Sequence, residues 1–97
     1  MGIDLLDLTF RVERLFKIKL VVTSIIEQTI TVCPDTNRRD LQVRHFVQMV
    51  KRAIEEQNSS YEDHLLKLLR PHIAECLCVK EAEVVIDAWM IHDLGME

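Results

Sequence analysis

Apolar residues return every three to four positions along Ile3–Phe16. Leu5, Leu8, Val12, Leu15 and Phe16 fall on one side of a helix there. Asp4 and Asp7 stand in its first turn and Arg14 and Lys17 near its end, the arrangement that the helix dipole favours. The same period returns in Val43, Phe46, Val47, Val50, Ala53 and Ile54, and predicts a second long helix over Asp40–Glu56 with Asp40 as its N-cap. A third stripe, Leu65, Leu69, Ile73, Cys76 and Leu77, predicts a helix over Tyr61–Leu77. Ser59 and Glu62 stand at capping-box spacing before it, and Pro71 inside it is expected to kink it. Phe16, Phe46, Val50, Leu69 and Ile73 are the expected core.

Between the first two helices the pattern changes. Ile18–Val32 is rich in β-branched residues and partly alternates, which suits extended backbone, while Ser24–Gln28 suits a helical turn. Both readings stand. Cys33-Pro34-Asp35-Thr36-Asn37 reads as a turn. Past the third helix, Lys80–Val84 is a short turn of helix, and Val85–Glu97 a structured loop with Trp89 and Met90 as apolar anchors. Asn58-Ser59-Ser60 is a short break, so the helices on either side should be antiparallel neighbours. The expected fold class is all-α: a helical bundle with one long structured loop, in a single domain spanning 1–97.

Composition narrows the function classes. The chain has 97 residues, 48% of them hydrophobic, and a net charge of −4. That charge gives no basic surface for nucleic acid. No apolar run reaches the roughly 18 residues of a membrane span, and the N-terminus carries no secretory pattern. Cys33, Cys76 and Cys78 are odd in number, which suits free thiols and a cytoplasmic setting. Cys76 and Cys78 with His64 and His72 match no zinc spacing, so no metal site is expected. No nucleophile–base pairing or phosphate loop stands out, and the chain is not expected to be an enzyme.

Four segments carry a resemblance. Leu77-Cys78-Val79-Lys80-Glu81-Ala82-Glu83-Val84, followed by Asp93-Leu94-Gly95-Met96-Glu97, resembles the first helix end and first loop of acyl carrier proteins. In that family the loop closes on Asp-Leu-Gly-x-Asp, and the next residue is the serine that carries 4′-phosphopantetheine. Ile3-Asp4-Leu5-Leu6-Asp7-Leu8 through Phe16 is similar to the helix that follows the serine. Asp40-Leu41-Gln42-Val43-Arg44-His45-Phe46-Val47 looks like the opening of the last helix, with Gln42 and His45 as departures. The family order therefore reads here as last three helices, linker, first helix. The matching segments cover about three quarters of the chain.

The resemblance implies an acyl-carrier-like four-helix bundle, permuted within one chain or swapped between two, as a monomer or a swapped dimer. It implies a role in fatty-acid or polyketide-type biosynthesis, with acyl-transfer or synthase enzymes as partners. The implied site joins Asp93, Leu94, Gly95, Met96 and Glu97 to Gly2, Ile3 and Asp4. Gly2 falls in the serine slot; a competing register puts Leu5 there. Neither is a serine, so no cofactor is expected on this chain as given. Carriers usually show an acidic second helix to their enzymes. Here Asp4, Asp7 and Glu13 are mixed with Arg11, Arg14, Lys17 and Lys19. The alternative reading is a non-catalytic helical interaction module that docks a synthase or another partner.

Overall fold

The computed structural model describes residues 2–57 and 65–96. The elements run α1 (Gly2–Phe16), α2 (Val22–Thr29), β1 (Ile30–Cys33), β2 (Arg38–Leu41), α3 (Val43–Glu56) and α4 (Leu65–Leu77), followed by a single 3₁₀ turn, Glu81–Glu83. β1 and β2 form an antiparallel hairpin, with Ile30 opposite Leu41 and Cys33 opposite Arg38. The fold is therefore mixed α and β, which corrects the expected all-α bundle.

The hairpin has a local cause on one strand only. Ile30, Thr31 and Val32 are all β-branched and favour extended backbone. Pro34 ends the strand, and Asn37 takes the left-handed conformation (φ 56°) that closes the turn, its N–H donating to the Cys33 carbonyl at 2.8 Å. The second strand, Arg-Arg-Asp-Leu, has no such bias, and its extended form comes from pairing. The undecided stretch before the hairpin divides in two: Val22–Thr29 is helical and Ile30–Cys33 extended.

Asp40 does not cap α3. Gln42 occupies the N-cap position, without a side-chain cap hydrogen bond, and Asp40 lies two residues earlier, buried on β2. The first-turn N–H groups of α3 find another acceptor. Val43 donates to the Ala88 carbonyl (2.9 Å) and Arg44 to the Ile86 carbonyl (3.0 Å). Orphan donors at a helix start need partners, and here the chain's own C-terminal loop supplies them.

α1 and α4 end alike. Lys17 and Cys78 sit in the left-handed region at φ 55° and 56°. The next N–H in each case reaches back five residues, Ile18 to Glu13 and Val79 to Ala74. This is the Schellman closure, with an apolar residue, Ile18 or Val79, turned in against the core. The Gln57 side chain ties the end of α3 to the α1–α2 linker, accepting from the Lys19 N–H (2.8 Å) and donating to the Lys19 carbonyl (2.7 Å).

α1 packs on α4 and on α2, and α3 packs on α2 and α4. One apolar core runs through them, with Leu5, Leu8, Phe46, Val50, Leu69 and Ile73 fully buried. One expected core position differs, and so does Leu15 of the α1 apolar stripe. Phe16 is half-buried and packs at the core's edge. Leu15 is 42% exposed. It stands seven residues after Leu8 and shares its face, but it lies at a shallow surface depression between α1 and α4, bordered by Arg11, Arg14, His72 and Glu75. Met49 and Ala74 join the core instead. α4 continues through Pro71, which is exposed within it. The Asn58-Ser59-Ser60 break, the Ser59–Glu62 capping box and the expected helix start at Tyr61 lie outside the described residues.

Candidate functional site

The predicted site has two halves, and each is built differently. One half is the start of α1. The helix begins at Gly2, the predicted serine slot, with Ile3 second and Asp4 in the first turn. The Asp4 carbonyl accepts a hydrogen bond from the Cys76 thiol on α4 at 3.4 Å, and the same sulfur lies 3.5 Å from the Asp7 carboxylate. Burial, and then the neighbouring Asp7, push the Cys76 thiol pKa up to about 12. That thiol is therefore a hydrogen-bond donor and a poor nucleophile near neutral pH. Leu5, the slot of the competing register, is fully buried and faces the core. A residue there has no path to solvent.

The other half is the loop from Val84 to Met96. Val84, Ala88, Met90, Leu94 and Met96 are buried, and Trp89 is half-buried, so both expected anchors contact the protein but only Met90 is enclosed. The loop folds on itself at its end. The N–H of Asp93 donates to the Trp89 carbonyl (2.8 Å), and the Asp93 carboxylate accepts the Trp89 N–H (2.8 Å). Gly95 then turns left-handed at φ 72°, its N–H on the Ile91 carbonyl, and Met96 N–H reaches the Met90 carbonyl at 2.8 Å. A left-handed residue at this point lets Leu94 and Met96, two apart, both enter the core, and glycine takes that conformation without strain. The Asp-Leu-Gly-Met run thus has a structural use at each position. Glu97 lies outside the described residues.

Five residues outside the predicted site hold this loop down. Asp40 accepts backbone N–H groups from Ile91 (2.9 Å) and His92 (3.0 Å) with its two carboxylate oxygens. Gln42 donates to the Asp87 carbonyl (3.2 Å), and Arg44 pairs with the Asp87 carboxylate. Arg70 of α4 donates to the Val84 carbonyl at 3.0 Å. Leu41 adds its carbonyl to the Met90 N–H. A single acidic residue ahead of a helix was the one sequence signal of this anchoring, and its form suited a helix cap equally well.

The two halves border one core, in which Leu5 and Leu8 of α1 sit with Leu94 and Met96 of the loop. A separate cleft of about 130 Å³ lies between α2 and α3, lined by Leu20, Ile25, Met49 and Ala53 with Lys19 and Arg52; it takes in none of the predicted site residues. Among the described residues no group of three His, Cys, Asp or Glu side chains could hold a metal ion, and no helix is long and apolar enough to cross a membrane. Cys33 is buried and Cys78 exposed, so the thiols are dispersed. No family model, curated protein or solved structure matches this chain, so its function has to be read from its own residues.

Proposed function

We propose that this chain is an acyl-carrier-like domain of fatty-acid or polyketide-type biosynthesis in permuted order, with Gly2 in the slot of the attachment serine. The observation that carries the reading is the loop end. A left-handed Gly95 sits between buried Leu94 and Met96, on the same core as the helix that starts at Gly2. The motif residues that suggested the family are thereby ones that shape the loop, and Leu94 and Met96 among them enter the same core cluster as Leu5 and Leu8.

4′-Phosphopantetheine does not fit this chain as it stands. Attachment needs an oxygen nucleophile at the start of α1, where backbone N–H groups favour a phosphate, and Gly2 offers none. The domain therefore acts without the prosthetic group, through recognition by acyl-transfer or synthase enzymes.

The test restores the family order. A re-permuted gene begins near Ser59, joins Glu97 through an added serine to Ile3, and ends near Gln57, so that it reads Asp-Leu-Gly-Met-Glu-Ser-Ile-Asp across the junction. Intact mass is measured after incubation with coenzyme A and a broad-specificity phosphopantetheinyl transferase. The rebuilt chain should gain one phosphopantetheine, and neither the original chain nor a rebuilt chain with alanine at the junction should. A folded rebuilt chain that stays unmodified would sink the carrier reading and favour the non-catalytic interaction module.

A further inference from the structure

The outer face of α1 is apolar at its centre and oppositely charged toward its two ends. Phe10 and Leu6, one turn apart, are 52% and 44% exposed. Asp7 precedes Phe10 by three residues and Arg14 follows it by four. Asp7 and Arg14 are seven residues apart, which on an α-helix returns to within about 20° of the same direction. Both flank Phe10, and together with Glu13 they border one shallow surface depression with it. Asp7 is half-exposed while paired with Arg11 at 3.3 Å. Arg14 is exposed and makes no ion pair among the described residues.

We propose that a second copy of this chain docks on this face, helix against helix and antiparallel, with the two-fold axis midway between Phe10 and Arg11, the two Phe10 side chains beside that axis, and Asp7 of each copy opposite the partner's Arg14. The charge order dictates the occupant. A two-fold contact places each residue opposite one whose number completes a constant sum, and an axis midway between Phe10 and Arg11 brings 7 to 14 and 14 to 7. Both charged pairs are then attractive, and they lie on the same flank of the helix, because a two-fold perpendicular to the axes keeps each side chain on its own side. A parallel pairing in register would set Asp7 on Asp7 and Arg14 on Arg14. Opposite-charge complementarity thus selects both the partner and its direction.

The contact is small. α1 has 15 residues, a rod of about 22 Å. One helix face of that length falls well below the standard interface of about 1,600 Å², so a weak, reversible dimer follows. The carrier reading is not needed for it.

Sedimentation equilibrium of the intact chain over a range of concentrations, at low and high salt, is the test. Dimer should appear as concentration rises toward about 1 mM and weaken with added salt. Phe10→Ser should weaken it at least about tenfold with the melting temperature unchanged, because the side chain is exposed. Asp7→Arg and Arg14→Asp should each weaken it, since like charges then meet across the axis. An equimolar mixture of those two variants should associate again, because every cross-pair becomes Arg opposite Asp. Asp7→Arg also disturbs Arg11 and Cys76, so its melting curve is recorded first; Phe10→Ser and Arg14→Asp leave those contacts in place. A chain that stays monomeric to about 1 mM, a dimer indifferent to Phe10→Ser, or folded charge variants that fail to complement one another would each overturn the proposal.

Discussion

The carboxylate of Asp40 holds the backbone N–H of Ile91 at 2.9 Å, across 51 residues of sequence. Its other oxygen takes the neighbouring N–H of His92. One buried side chain on a β-hairpin therefore organises the loop that ends in the Asp-Leu-Gly-Met run. The interaction resembles a helix cap in chemistry, an ionised acceptor facing two consecutive N–H groups, but it acts on a distant turn.

Asp40→Ala should destabilise the chain by about 3 kcal/mol, because buried N–H donors lose a charged acceptor. Asp40→Asn keeps one acceptor oxygen and should cost less. Urea denaturation measures both. Amide exchange should accelerate at Ile91 and His92 first; equal protection of the loop in Asp40→Ala would contradict the anchoring role.

Left-handed positions offer a matched pair of opposite effects. Gly95→Ala meets no neighbouring atom, yet forces a side chain into φ 72°, and should cost about 1 kcal/mol. Lys17→Gly and Cys78→Gly relieve the same strain at the ends of α1 and α4 and should each add about 0.5–1 kcal/mol. Thermal melts of the three variants should move in those directions. A stabilising Gly95→Ala would mean that the loop end is not left-handed in solution.

The three thiols should separate in rate toward a disulfide reagent at pH 8: exposed Cys78 fast, Cys76 slow, buried Cys33 slowest. Cys76 also sets a pH dependence. Its folded pKa, about 12, lies above the ordinary thiol value, so above that ordinary value the unfolded chain loses its proton first. The contribution is constant below about pH 8.5 and declines as pH rises from there toward 12. Cys76→Ala should flatten that alkaline decline relative to Cys78→Ala. Identical alkaline profiles would show that Cys76 does not face Asp4 and Asp7.

Truncation should rank the faces of the helices. Phe46→Ala and Leu69→Ala remove fully buried side chains and should cost about 3–5 and 2–5 kcal/mol. Leu8→Ala should fall in the second range, and Leu15→Ala, on the same face one heptad later, well under 1 kcal/mol. Chemical denaturation of the Leu8 and Leu15 variants side by side decides it. Equal losses would show that Leu15 is enclosed as Leu8 is.

The three long helices were legible because their evidence is local. An amphipathic stripe compares residues three and four apart, and α1, α3 and α4 each carry one, though α3 starts at Val43 and not at Asp40. The loop was legible as structured because Trp89 and Met90 are too apolar to leave in water, while the left-handed turn at Gly95 was not read from the sequence. What the residues around a position could not show is which distant group meets it. Arg38–Leu41 has no strand pattern and becomes one only beside Ile30–Cys33, so the mixed fold class was hidden in a pairing. Asp40 offers two acceptor oxygens under either reading. Whether they receive the first N–H groups of α3 or those of Ile91 and His92 depends on where the loop lies. Tertiary structure gives the N–H groups of Val43 and Arg44 to Ala88 and Ile86, which frees Asp40 for the loop. Hydrogen-bond donors near a carboxylate compete on geometry alone, and that geometry exists only once the chain's two ends of sequence have packed on one core.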